Sequence, residues 1–262
     1  MILGLAISRK YDITSPQVAQ FIEAAKDNGF SCVLAQSGQT FDILVSFGGD
    51  GATLHFARTY LDTYPILAVK LGSLGFLSQI DANPLSYANA FIRIKKGDYT
   101  IMPRTLVCAQ DVKGKEVAAL NEIMLCNADR GRAISVEAYL DGIRVNKYVG
   151  DGVIVATPTG STAISLSAGG AVMTEDCPCF TLKPHAVMGS CPQIVYSQDR
   201  ELLLKMGKDR GEGALYADGI PADLNCKEGI VIKKYHRQAR FIRFEERLFE
   251  KLNSLNTQKE KL

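Results

Sequence analysis

The spacing of apolar positions changes within residues 41–61. Phe41 to Phe47 is an almost unbroken apolar run, the pattern of a central parallel strand covered on both faces. After Gly48-Gly49-Asp50-Gly51, Leu54, Ala57 and Leu61 recur at i, i+3 and i+7, with Phe56 and Tyr60 widening the stripe. The stretch therefore predicts a strand, a glycine turn and an amphipathic helix. Upstream, Ile2 to Ile7 reads as a strand. Ser15 fits an N-cap and Pro16 the first helical position of a helix carrying Val18, Phe21, Ile22 and Ala25 on one face. Gly29 ends that helix, and Cys32 to Leu34 form the next strand. Downstream come a strand at Pro65 to Val69, a second glycine turn over 71–77 (LGSLGFL), and a helix over 84–96 closed by Gly97. Strands alternating with helices predict a parallel α/β sheet. Ligands of such sheets sit beyond the carboxyl ends of the strands, where both glycine turns belong.

Past Pro103 short alternating segments take over. Residues 104–110, 133–140 and 143–149 read as strands, with Lys113-Gly114 and Asp141-Gly142 as hairpin turns. Val153 to Ala156 reads as a further strand, and 229–235 and 239–243 alternate again, while Val117 to Leu120 is only apolar-leaning. A helix is expected from Ser161 to Ala168 and a last one from Glu245 to Leu255, followed by a frayed QKEKL tail. The Lys and Arg residues of 233–243 alternate with apolar ones, which reads as a solvated strand face.

Composition narrows the classes. The 262 residues suffice for one large domain or two modest ones, and a net charge of +2 with no arginine-rich tract disfavours nucleic acid. No apolar stretch approaches the roughly 20 residues that span a bilayer. The opening MILGLAISRKYD reads as a strand, not a signal peptide. Seven scattered cysteines imply reduced thiols and a cytoplasmic protein. Cys177, Cys179, His185 and Cys191 include enough soft ligands for zinc, but their spacing matches no common structural site.

The candidate chemistry gathers at the turns. Gly48 and Gly49 let a phosphate approach the backbone at a helix start. Asp50 is out of place in an anion site unless its carboxylate holds a metal, takes a proton or caps the helix. No lysine follows at the spacing of a Walker loop. Asn121-Glu122 interrupts an apolar run, Gly150-Asp151-Gly152 leads into a strand, and Thr157-Pro158-Thr159-Gly160-Ser161-Thr162-Ala163 packs hydroxyls beside a helix start. By itself, Ala217-Asp218-Gly219 reads as a bare hairpin.

Together these residues resemble the NAD kinase family: GGDG at 48–51, LGSLGFL at 71–77, NE at 121–122, DGVIVATPTGSTA at 151–163 with SLSAGG at 165–170, and ADG at 217–219, in the family's order. The GGDG element alone is shared with lipid kinases and phosphofructokinases, whereas the long TPTGSTA block is specific. The resemblance implies an α/β plus β fold: a parallel α/β domain over 1–102, a β-sandwich domain over 103–243, and a C-terminal helix over 244–262 that returns to the first domain. It implies transfer of a terminal phosphoryl group to the adenosine 2′-hydroxyl of NAD, giving NADP, with Mg²⁺ or another divalent metal and ATP, another triphosphate or polyphosphate as donor.

Asp50 becomes the expected proton acceptor and Gly51 its backbone partner, with Gly48 and Gly49 in the donor's phosphate turn. Phe76 and His55 join the substrate contacts, His55 near phosphate. Asn121 and Glu122 would hold the adenosine part, Arg132 supplies a basic contact, and Asp151 with Thr162, Ala163, Ile164, Ser165, Leu166 and Ser167 lines the dinucleotide site. The resemblance further implies a homo-oligomer, dimer or tetramer, of small-molecule-binding subunits with no membrane or nucleic-acid partner. Three positions depart from the family pattern: Ile164 in place of a usual tyrosine, Val149 of a basic residue and Ala171 of a proline. The alternatives are a lipid or sugar kinase sharing GGDG and a non-catalytic dinucleotide-binding module.

Overall fold

The structure is a computed structural model that describes residues 1–35, 40–72, 75–129, 132–207 and 212–259. Two compact units divide the chain: Met1–Pro103 with the chain from Ala239 onward, and Arg104–Gln238.

In the first unit β1 (Ile2–Ile7), β2 (Ser31–Leu34), β3 (Ile43–Gly48) and β4 (Pro65–Lys70) are parallel in the order β2-β1-β3-β4, and the short β5 (Ile80–Asp81) pairs with β4. Helix α1 (Pro16–Asp27) joins β1 to β2, α2 (Asp50–Thr59) joins β3 to β4, and α3 (Pro84–Lys96) follows β5. Alternation within β3 explains how the sheet is covered. Ile43, Val45 and Phe47 join a core with Phe21 of α1 and Phe91 of α3, where Phe21 meets Phe47 edge-on at 5.0 Å. On the other face Ser46 Oγ lies 3.0 Å from Thr53 Oγ1 of α2. Both faces are buried, as parallel strands require. Ser15 occupies the N-cap position of α1 but caps nothing with its side chain. Its hydroxyl instead donates to Asp12. The cap of α3 is Asn83, whose side chain accepts from Ser86 N at 2.9 Å.

The second unit is strand-rich. Its strands are the continuation of β6 (Thr100–Asp111), then β7 (Glu116–Ala119), β8 (Glu122–Asn127), β9 (Ile134–Leu140), β10 (Ile143–Ala156), β11 (Cys179–Val187), β12 (Ile194–Ser197), β13 (Leu202–Met206), β14 (Gly213–Ala217), β15 (Ile220–Ala222) and the first half of β16 (Ile230–Arg243). Most are antiparallel neighbours in the order β15-β14-β8-β10-β9-β13-β16, with β11 paired to β10 and β12 to β11. Val136, Val155, Phe180, Leu204 and Ile232 lie in its core. The end of β16 pairs in parallel with β4 through Arg240 and Phe241, and α5 (Leu248–Lys259) follows in the first unit.

Four local expectations change. The pairs 143–149 with 153–156, and 229–235 with 239–243, are each one strand, β10 and β16. Gly150-Asp151-Gly152 lies inside β10 because partners change there: residues up to Gly150 pair with β9, and those from Gly152 on with β8. An added Cβ at Gly152 would come within 2.2 Å of Leu125 O, and at Gly150 within 2.4 Å of Ala186 O, so these glycines admit neighbouring backbones. The helix expected over Ser161 to Ala168 is a 3₁₀ turn (Thr159–Thr162) and a single turn α4 (Ile164–Ser167), broken at Ala163. Ser161 and Thr162 hydroxyls donate to the carbonyls three residues back, at 2.7 and 3.2 Å, competing with a regular helix. The last helix begins at Leu248, three residues later than expected, and includes Gln258 and Lys259 of the expected tail. Ser73 and Leu74 of the second glycine turn lie outside the described residues, as do the final three residues.

Candidate active site

In the first unit the site is built at the carboxyl ends of β3 and β4. Gly48 closes β3, Gly49 is the N-cap of α2, and Asp50 is its first helical residue, with Gly51 exposed beside it. A Cβ on Gly48 would sit 2.8 Å from that of Ala52, so only glycine lets the strand turn so tightly into the helix. Asp50 does not cap α2. Its carboxylate reaches the second glycine turn, accepting Phe76 N–H on Oδ2 at 2.7 Å and Leu77 N–H on Oδ1 at 3.1 Å. Gly75 passes close enough that an added Cβ would lie 3.0 Å from Ser78 Oγ and 3.5 Å from Asp50 Oδ1. The two glycine-rich turns, 26 residues apart in sequence, are thus tied through one carboxylate. A carboxylate offers about four lone-pair sites, so two remain for a substrate hydroxyl. His55 stands exposed on α2, edge-on to Phe56 at 5.6 Å.

In the second unit Asp218 plays the matching part. At the β14–β15 turn, where its φ is +50°, it accepts Leu120 N–H (2.9 Å), Asn121 N–H (2.7 Å) and Glu122 N–H (3.3 Å). The hydroxyl stretch holds the same corner. Thr157 Oγ1 donates to Leu120 O at 2.5 Å and accepts Gly160 N–H at 3.1 Å, and Thr157 N–H donates to Asn121 O at 2.9 Å. An added Cβ at Gly160 would fall 2.0 Å from Asn121 O.

Glu122 is only 7% exposed and its Oε2 is buried with no partner among the described residues. Burial first, and the charge of Asp218 second, push its carboxyl up to about 7. It lines a cavity of about 260 Å³ with Met124, Tyr216, Ile164 and Gly219. A second cavity of about 230 Å³ shares Met124, Cys126 and Asn127 with the first, and its wall holds Asp151, Arg132 and His185. The two cavities thus bring together Glu122, Ile164, Asp151 and Arg132 from four stretches of sequence. Asn121, Thr162, Ala163, Ser165, Leu166 and Ser167 line neither one. Ser165 is buried, with no partner for its hydroxyl among the described residues. Sequence reasoning missed the anchoring role of Asp218, although its ADG motif was visible, and the contributions of Tyr216 and His185 to the walls.

The first unit thus fixes a carboxylate at a strand-to-helix glycine turn, and the second holds a buried acidic corner beside a two-part cavity. Comparison with known sequences decides the family. The description "ATP-NAD kinase N-terminal domain" matches residues 9–99, and "ATP-NAD kinase C-terminal domain" matches 120–244. The NAD kinase of Caldanaerobacter subterraneus subsp. tengcongensis is 35% identical over 214 residues, covering 77% of this chain and 73% of that one. The chain belongs to the NAD kinase family. The Clostridium beijerinckii NAD kinase is 29% identical over 266 residues, covering 93% and 91% of the two chains. Among solved structures, an Archaeoglobus fulgidus NAD kinase in complex with ATP superposes with a TM-score of 0.80 at 28% identity, covering 97% of this chain and 99% of that one. Yeast NADH kinase complexed with NADH gives 0.83 at 21% identity, over 98% and 87%, a likeness of fold. As an NAD kinase the protein is a phosphotransferase with an alcohol group as acceptor, and neither the lipid or sugar kinase nor the non-catalytic module is favoured. Among the described residues no helix is long and apolar enough to cross a membrane.

Proposed function

We propose that this NAD kinase uses Asp50 to take the proton of the adenosine 2′-hydroxyl of NAD as that oxygen attacks the terminal phosphorus of ATP. A P–O bond forms to the 2′-oxygen, the bridging P–O bond to ADP breaks, and the proton passes to the carboxylate. The observation that carries this is the placement of Asp50, fixed by two backbone N–H groups at a strand-to-helix glycine turn, a place suited to a nucleotide phosphate. Gly48 and Gly49 leave the backbone open to the donor's phosphates, and Gly51, His55 and Phe76 flank them. The ATP complex of the archaeal relative supports ATP as donor. Asn121 and Glu122 receive the hydroxyls and adenine of NAD. Asp151, Arg132 and the 162–167 turn, Thr162 to Ser167, take the rest of the dinucleotide.

Magnesium enters as part of the donor. Among the described residues no three His, Cys, Asp or Glu side chains gather to hold a metal ion. Mg²⁺ is ordinarily carried on substrate phosphates with one or two carboxylates, not in an all-protein cage. Cytoplasmic residence fits the seven free thiols. Self-association as a dimer or tetramer rests on the family resemblance, and an active 28.5 kDa monomer in sedimentation would contradict it.

The test is incubation of the purified chain with ATP, Mg²⁺ and NAD and detection of NADP by an NADP-specific dehydrogenase. Asp50→Asn should lower kcat roughly 10²- to 10⁴-fold, the usual cost of losing a positioned base. Near-native turnover in that variant removes Asp50 from catalysis, and rescue by excess Mg²⁺ makes it a metal ligand instead.

A further inference from the structure

The loop Phe76–Gln79, which runs from the second glycine turn into β5, is bonded to the C-terminal segment of the same unit. Lys251 of α5 donates from Nζ to Phe76 O at 2.8 Å and to Ser78 O at 2.6 Å. Arg247 Nη1 donates to Gln79 O at 3.3 Å, and Phe244 N–H to Gln79 Oε1 at 3.1 Å. Phe76, Ser78 and Gln79 therefore give their carbonyls, and Gln79 its side-chain oxygen, to the C-terminal segment, while the Phe76 and Leu77 N–H groups go to Asp50.

One peptide group lies in both sets. The carbonyl of Phe76 and the N–H of Leu77 belong to a single peptide unit, so the bonds run from the Lys251 ammonium through that amide to Asp50 Oδ1. A charged donor on the carbonyl polarises the amide and strengthens the N–H bond on its far side. The position of Lys251 on its helix supports a role beyond solubility. It is the fourth residue of α5, where the N-terminal partial charge of the helix disfavours a cation. Two backbone carbonyls offset that penalty, and they belong to the loop that fixes Asp50.

We infer that Lys251 is a positioning residue for phosphoryl transfer, locking the Phe76–Leu77 peptide so that its N–H, beside that of Phe76, holds the Asp50 carboxylate in place. This rests on Asp50 being the proton acceptor. Lys251 touches neither substrate nor reacting atoms; it sets where the acceptor oxygen sits, and misplacement near 1 Å costs about a hundredfold in rate.

The experiment measures kcat, KM for NAD and for ATP, and the thermal midpoint of the full chain carrying Lys251→Met or Lys251→Arg, each in the native and the Asp50→Asn background. Lys251→Met should lower kcat by about 10- to 100-fold with KM for NAD little changed. Lys251→Arg, which keeps a charged donor, should recover most of the loss. In the Asp50→Asn background Lys251→Met should cost almost nothing further, because both changes remove one linkage. A native kcat in Lys251→Met beside a large loss in Asp50→Asn overturns the positioning role alone. So does a loss that Lys251→Arg fails to restore and that recurs in full in the Asp50→Asn background. A native kcat in Asp50→Asn overturns the acceptor role and the positioning role with it. Should Lys251→Met fail to fold, Lys251→Gln, a neutral donor, carries the same comparisons.

Discussion

Replacing Glu122 with Gln removes a charge from a corner that leaves its Oε2 no partner among the described residues, and the consequence depends on pH in a calculable way. The carboxyl is pushed from 4.5 to about 7 by burial and by Asp218. Below pH 4.5 it is protonated in folded and unfolded chains alike. Between 4.5 and about 7 the folded chain keeps a proton that the unfolded chain has released, so stability falls as pH rises. Above about 7 both are ionised and the loss is complete. At 1.36 kcal/mol per pH unit the total is about 3 kcal/mol. Glu122 is 7% exposed, so solvent screening removes little of this. For a chain of this size that is roughly 6–12 °C in thermal midpoint.

The assay is the thermal midpoint of the native chain and of Glu122→Gln at pH 5, 6, 7 and 8. The native midpoint should drop relative to the variant between pH 5 and 8, the gap opening through pH 7. Bound NAD should narrow it, since hydroxyl donors on the carboxylate favour its charged form, and NAD affinity of the native protein should rise over the same interval while that of the variant stays flat. Parallel midpoint profiles for the two proteins would refute a buried, unpartnered carboxylate at this corner.

Other perturbations follow from the same geometry. Gly160→Ala drives a methyl to 2.0 Å from Asn121 O; overpacking against backbone should cost about 1–3 kcal/mol in urea unfolding and raise KM for NAD. Asp218→Ala leaves three backbone N–H groups without their acceptor, which should cost roughly 2–4 kcal/mol and weaken NAD binding more than turnover. It also removes the like charge beside Glu122, so the Glu122 titration should move to lower pH, readable by carboxyl-selective NMR.

What the sequence by itself determined is what short-range physics encodes. The strand at Ile2–Ile7, the helix at Pro84–Lys96, and the hairpin turns at Lys113-Gly114 and Asp141-Gly142 are legible because apolar period and turn chemistry act over a few residues. The α/β plus β class follows from the change of texture at Pro103, and the family from the order of its motifs.

The tertiary structure decided the rest. Gly150-Asp151-Gly152 reads locally as a lead into a separate strand, yet lies within β10, because the need for glycine comes from the backbones of Leu125 and Ala186 beside it. Asp50, which local pattern leaves as cap, metal ligand or proton acceptor, joins turns 26 residues apart; Asp218 binds N–H groups nearly 100 residues away, and Lys251 reaches a carbonyl 175 residues upstream. A side-chain acceptor meets its backbone donor only once the chain has folded back, and backbone N–H groups look alike at every position, so no local pattern marks which ones a carboxylate will hold. The same applies to Glu122, whose shifted titration is a property of the buried corner around it and not of the residue.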